Sequence, residues 1–415
     1  MKKETLFPFI GLFIIIMLLS CNNDSDIQKE VNINKVDSNF ISLETAKSIA
    51  ANYEFTNVKT RSKVGKKNIE NIYSLKKKSD MPEMYIVNYE GGGFVIISAD
   101  RRVCEILAYS KDNSFPIDGN VVMPEGLENW MHNYVSLVDS VRRNNVKELP
   151  KHYRANTRGG DIPLGTWGAS REGQSSVYLC YDDGQELEPY FYWVPGIIHV
   201  NWGQGVGYND LLEDKGCGNY SNHKPPVGCV AVAMGAIMRS YEKPISFNWK
   251  SMPNSTGAYA TQVLMKDIGQ KVKMKYDCSG SGAFDSDALY AFKQYYGYTN
   301  AKYINEGANG MNIWDQIIYG SPTYAAGSSA DRGRHAFVIH GMEFKQIFRC
   351  IMDWEADRMY TNYYLKDIYY EINWGYDGYY NGLYMKGNFS PYAGKNYNKD
   401  MVFISNFGPL STSVN

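Results

Sequence analysis

"PPVGCVAVAMGAIMRSYEKP", residues 225–244, sets a single cysteine at the mouth of a run of small apolar residues. Pro226 before it and Pro244 after it bound a helix from Gly228 to about Tyr241, because proline cannot continue a helix or donate a backbone N–H. Residues 229–238 are apolar or small on every face, so this helix is expected in a core. Its first turn presents free N–H groups and the positive end of the helix dipole, which stabilise a thiolate. Cys229 therefore reads either as a buried small hydrophobe, the commonest fate of a free cysteine, or as a nucleophile. Position alone leaves both open.

A nucleophilic thiol needs a base, and this half of the chain offers His199, His223, His335 and His340. His335 sits between the glycine-bounded loop 327–333 and the strand-like run "AFVIHGM", a boundary where a side chain can be rigidly held yet face a cleft. His340 falls on the opposite face by alternation and reads as a packed strand histidine. The base needs a partner that fixes its tautomer. "EINWGYDGYYNGLY" supplies Asn373 at a strand end, with Trp374 beside it to keep water from the contact. Attack on a carbonyl also develops an oxyanion. In "NWGQGVGYND", Gln204 occupies a glycine-flanked loop upstream of the helix, where its amide can join the Cys229 backbone N–H as a donor pair. No cluster of His and Cys at metal-ligand spacing exists, and the chemistry asks for no metal or organic cofactor.

The order Gln204, Cys229, His335, Asn373-Trp374 resembles that of papain-like peptidases. The wording "W-G-Q…Y-N", "G-C-V-A-x-A-M-x-x-I-M", "H-A-F-V-I-x-G" and "N-W-G-Y-x-G…N-G" is similar to the streptopain family of cysteine peptidases. The amino-terminal "GGGFVIISADRRVCEILAYS" resembles that family's inhibitory prodomain. The resemblance implies an α+β protein: a small α+β prodomain followed by a papain-like catalytic domain. It implies Cys229 as nucleophile, His335 as base and then acid, Asn373 as orienting residue, Trp374 as its shield and Gln204 as oxyanion donor. The partners implied are protein or peptide substrates and the chain's own prodomain as inhibitor. Departures are Val232, Gly235 and Ala236 along the cysteine helix, Tyr376 after the "WG", and a longer segment between His335 and Asn373.

The amino terminus speaks to compartment. "MKKETLFPFIGLFIIIMLLSCNN" has Lys2 and Lys3, an apolar run from Leu6 to Leu19 and then "LLSC", which resembles a lipobox with Cys21 as the lipid-bearing residue. This predicts an exported, membrane-anchored lipoprotein at the outer membrane or cell surface. Expected divisions are a signal over 1–20, a tether over 21–40, a prodomain over 41–145, a linker over 146–160 with Lys151, Arg154 and Arg158 as exposed cleavage candidates, and a catalytic domain over 161–415. In the prodomain, "ISLETAKSIAANY" reads as a helix capped by Ser42. Two strands flank Gly91-Gly92-Gly93, and Leu127, Trp130, Met131, Tyr134, Val138 and Val141 form the core stripe of a second helix. The run "TRSKVGKKNIENIYSLKKKSD" reads as a solvated hairpin. A net charge of −1 with scattered basic residues excludes a nucleic-acid footprint. Seven cysteines without repeated spacing exclude a disulfide scaffold; one bridge is allowed, its pairing open. Two rivals stand beside the peptidase: a catalytically silent peptide- or glycan-binding lipoprotein on the same fold, and a transglutaminase-type acyl transferase.

Overall fold

The computed structural model describes residues 37–57, 62–63, 65–77, 80–119, 121–144, 190–304, 313–329, 333–353, 358–386 and 401–408. Asn39–Asn415 form one compact unit. Chain order begins with α1 (Leu43–Asn52), short strands β1 (Thr56–Asn57) and β2 (Ser62–Lys63), then β3 (Ile69–Leu75), β4 (Met84–Tyr89), β5 (Phe94–Ser98) and β6 (Ile106–Ser110), and α2 (Glu125–Arg143). After β7 (Tyr190–Val194) come α3 (Cys229–Tyr241), α4 (Tyr259–Lys271), α5 (Asp285–Gln294), β8 (Lys302–Ile304) and α6 (Ile313–Ile318). The long strands follow: β9 (Thr323–Ser329), β10 (Gly333–Asp353), β11 (Arg358–Asn373), β12 (Gly382–Met385) and β13 (Val402–Ser405).

Local chemistry accounts for the amino-terminal elements. The Ser42 hydroxyl accepts the Thr45 N–H at 3.2 Å, and Glu44 lies in the first turn of α1. The β4–β5 turn needs its glycines: Gly92 and Gly93 stand at φ 93° and 99°, and a Cβ on either would fall 2.5 or 2.6 Å from a backbone carbonyl. The basic run divides, since β1 and β2 pair only with each other whereas β3 joins the main sheet.

That sheet unites what the sequence suggested were separate bodies. Its order is β3-β4-β5-β6-β12-β11-β10-β9-β13-β8, with β7 on β10, and every pairing is antiparallel. The join is β6 to β12, where Tyr109 lies opposite Leu383 and Ala108 opposite Tyr384. Side chains alternate across β10. Phe337 and Ile339 share a core with the buried stripe of α2, Leu127, Trp130, Met131, Tyr134, Val138 and Val141. Ala336 and Val338 share the other with α3, α4 and α5. A third, smaller core lies between α1 and β4–β5.

Candidate active site

Cys229 is the first residue of α3, outside any disulfide and only 8 % exposed. The chain enters the helix through Gly228 at φ 90°, where a Cβ would lie 2.7 Å from the Ser281 carbonyl oxygen and 2.8 Å from Met274 Sδ. Only glycine permits that approach. One residue earlier, the Val227 N–H donates to the Gln204 carbonyl at 2.9 Å, so the Gln204 loop is latched to the lead-in of the cysteine helix. Cys217 and Cys278 form the disulfide whose pairing the sequence left open, tying the loop before the helix to the one that carries Ser281.

His335 lies inside β10, opposite Gly327 of β9, and is 1 % exposed rather than open to a cleft. Its ring stacks beside Phe337 and meets Tyr376 at 5.4 Å between centroids. Nε2 is 2.9 Å from the Trp374 carbonyl oxygen. A carbonyl can only accept, so Nε2 carries the proton and Nδ1 is the basic nitrogen of the neutral ring. Burial pushes the His335 pKa down to about 4, with the Trp374 carbonyl pulling partly the other way. At neutral pH the imidazole is therefore uncharged.

Asn373 ends β11. Its Nδ2 donates to the Val200 carbonyl at 2.6 Å, and its Oδ1 accepts the Gly375 N–H at 3.0 Å. The Trp374 carbonyl, one residue on, holds the imidazole at Nε2, while the Asn373 amide braces the segment leading to Gln204 and the turn after Trp374. Trp374 is fully buried, 4.7 Å from Phe337 and 5.4 Å from Tyr384 between ring centroids, and its backbone N–H donates to Asn381 Oδ1 at 2.9 Å. Asn381 Nδ2 reaches Asn201 Oδ1 at 3.2 Å. Gly375 lies over Val232 on the first turn of α3, where a Cβ would come within 3.1 Å of Cγ1. The loop of Gln204, the mouth of α3 and the Asn373–Gly375 turn therefore converge on one locus.

Five residues around this locus were not singled out in the sequence. Tyr324 donates its hydroxyl to Asp285 Oδ1 at 2.7 Å and faces Cys229, while Arg334, next to His335, bonds Asp285 Oδ2 at 2.7 Å. Gly126 of α2 presses on the histidine side: a Cβ there would lie 2.9 Å from Trp374 and 3.1 Å from Phe337. Asp377 covers Gly203, beside Gln204. No local pattern marks any of the five, because each is defined by what another element brings to it. His340, by contrast, is the packed strand histidine that alternation predicts, with Nδ1 3.4 Å from the Ile198 nitrogen. Cys21, Lys151, Arg154 and Arg158 lie outside the described residues.

Comparison with known proteins follows this geometry. Residues 202–384 match the Peptidase C10 family model, and residues 38–138 match the Spi protease inhibitor model. The chain is 25 % identical over 358 residues to streptopain of Streptococcus pyogenes serotype M1, covering 75 % of each protein. It is 23 % identical over 371 residues to the thiol protease/hemagglutinin PrtT of Porphyromonas gingivalis, covering 78 % of this chain and 37 % of PrtT. Among solved structures, a prointerpain A fragment from Prevotella intermedia superposes with a TM-score of 0.52 at 20 % identity, covering 80 % of this chain and 97 % of that one. That likeness shows the fold, a papain-like peptidase with its prodomain attached.

Proposed function

The chain carries a Peptidase C10 domain behind a Spi-type inhibitor domain and is a cysteine-type endopeptidase, and from that premise we propose that Cys229 is its nucleophile and His335 its base. The observation that carries the assignment is the convergence at the mouth of α3. Cys229 opens the helix, the Gln204 carbonyl bonds Val227 two residues before it, and the Asn373–Gly375 turn rests on Val232. The helix dipole favours the thiolate, and the Cys229 N–H with the Gln204 side-chain amide would receive the developing oxyanion. The thiolate adds to the peptide carbonyl, and His335 gives its proton to the departing amine. Water, deprotonated by His335, then resolves the acyl-enzyme. Asn373 acts by bracing the turn that presents the Trp374 carbonyl to the imidazole, and Trp374 keeps water from that bond.

The same arrangement supports a zymogen. A thiolate–imidazolium pair needs a charged ring, and burial holds His335 neutral. Helix α2 contributes to that burial through Gly126 on Trp374 and Phe337. Removing the amino-terminal region would hydrate this wall, raise the histidine pKa and permit the ion pair. Cleavage within 146–160, at Lys151, Arg154 or Arg158, is the activating step in this reading. We further propose export and lipid attachment at Cys21, a reading the Cys217–Cys278 bridge supports because such bonds persist in oxidising compartments. One cut would then both activate the enzyme and release it from the membrane.

An epoxide inhibitor of cysteine peptidases tests the assignment. The expected result is a single adduct on the Cys229 peptide, formed faster after processing than before. An adduct on Cys104 alone, or none after processing, would overturn it. For the anchor, cell fractionation should leave uncut chain in the membrane pellet and cut catalytic domain outside it; processed enzyme still in the pellet contradicts release.

A further inference from the structure

Gln204 is fastened on its second side by a residue outside the catalytic motifs. Gly203, immediately before it, has no room for a side chain: a Cβ there would fall 2.2 Å from Asp377 Oδ2 and 2.3 Å from Oδ1. The Asp377 carboxylate therefore lies over the Gly203 backbone. The Asp377 N–H donates to the Trp202 carbonyl at 3.3 Å, so the two segments bond across both residues that precede Gln204. Asp377 stands at φ 53° and Gly378 at φ 85°, a left-handed corner at which Asp377 itself remains exposed on its outer side. A Cβ on Gly378 would come within 3.0 to 3.1 Å of the Asn201 side chain, so the corner is closed against the same segment. Tyr208 stands beside the carboxylate, its buried hydroxyl making no hydrogen bond among the described residues, and burial pushes the Asp377 pKa up. Tyr220, in the loop closed by the Cys217–Cys278 bridge, faces the same carboxylate.

We propose that Asp377 is a positioning residue for Gln204: its carboxylate, laid over Gly203 and backed by Tyr208, sets the direction in which the Gln204 amide enters the oxyanion site. The loop is held at one end by Val227 and at the other by Asp377, so the amide meets the tetrahedral intermediate without reordering. A donor used in the transition state acts on kcat and leaves KM nearly unchanged. Loss of one oxyanion donor lowers kcat by about 100- to 1,000-fold; a donor present but misdirected loses less, roughly tenfold. The inference rests on the catalytic reading of Gln204.

The test is a double-mutant cycle on the full chain, processed under identical conditions, with a peptide amide substrate. Asp377→Gly deletes the carboxylate while suiting the left-handed corner, Asp377→Asn retains its shape, and Gln204→Ala removes the donor. The expected result is a roughly tenfold fall in kcat for Asp377→Gly at constant KM, partial recovery in Asp377→Asn, and no further loss when Asp377→Gly is added to Gln204→Ala. Independent losses in the double variant, a change confined to KM, or full activity of Asp377→Gly beside an impaired Gln204→Ala would overturn the positioning role. Full activity of Gln204→Ala would instead remove the oxyanion reading on which it rests. If Asp377→Gly does not fold, Asp377→Ser, which draws the side chain back from Gly203, replaces it in the same cycle with the same criteria.

Discussion

Replacing Glu371 by glutamine should abolish a pH dependence of stability that the uncut chain owes to one buried carboxyl. Glu371 stands on β11 against Gly196 and Gly341, where a Cβ on either glycine would fall 2.6 or 2.5 Å from its Oε2. Tyr109 of β6 faces it and hydrogen-bonds the neighbouring Glu343. Burial pushes the Glu371 pKa from 4.5 up to about 7, Glu343 adding to the rise and the Gly196 backbone opposing it. The nearby His340 cannot compensate, because burial and His199 drive its pKa down to about 3 and leave it neutral. A carboxyl whose pKa is higher folded than unfolded holds its proton longer in the folded chain. Its contribution is complete below about pH 4.5 and is lost as pH rises to about 7. At about 1.36 kcal/mol per pH unit, the loss is on the order of 3 kcal/mol. Glu371→Gln copies the protonated form and removes this term. The assay is urea unfolding of the full chain between pH 4 and 8 in a Cys229→Ala background, which prevents self-cutting. The difference between Glu371→Gln and its parent should grow in favour of glutamine by about 3 kcal/mol from pH 4.5 to 7, then level off. A difference that stays constant across that range refutes the reasoning. Because β6 helps to bury the carboxyl, the same ionisation should loosen the amino-terminal strands.

Gly126→Leu puts a side chain where a Cβ alone would lie 2.9 Å from Trp374, and overpacking of this kind costs about 1–3 kcal/mol. Initial rates of the uncut chain should rise by about 5- to 150-fold; an unchanged rate means that α2 does not gate the site. Proton NMR of the uncut Cys229→Ala chain should find His335 neutral to below pH 5, consistent with a pKa of about 4, and processing should move its titration upward. A ring that titrates normally before processing contradicts latency by burial. Replacing both Cys217 and Cys278 by serine opens a loop spanning 61 residues and should lower unfolding free energy by about 4 kcal/mol, read by urea denaturation.

Much of the site is legible because its signals are local. Two prolines and a wholly apolar run define α3, and α3 runs from Cys229 to Tyr241 as the sequence predicts. Ser42 and Glu44 likewise declare α1, and the stripe from Leu127 to Val141 declares the buried face of α2. What escapes the sequence depends on distant pairing. Residues 146–160 look like a boundary between bodies, yet Ala108 and Tyr109 pair with Tyr384 and Leu383 and make one sheet. His335 has the pattern of a cleft residue but is 1 % exposed, a burial decided by what other elements pack around it. Asp377 is a lone acid in a Gly- and Tyr-rich turn, and nothing in that turn says which backbone it will cover. Asn373 was expected to reach the imidazole; its amide instead takes Val200 and Gly375, a choice made by the extended segment that leads to Gln204.

The central claim is that one thiol, Cys229, hydrolyses peptide bonds once the amino-terminal region is gone. The most direct measurement is a time course of residues 22–415, wild type beside Cys229→Ala, followed by gel and by hydrolysis of unfolded casein, with trypsin added to a parallel sample to cut the linker. The account predicts that wild type alone loses its amino-terminal region and gains casein activity, while Cys229→Ala stays inert even after trypsin. Equal activity in the two cut proteins, or silence from both, would contradict it.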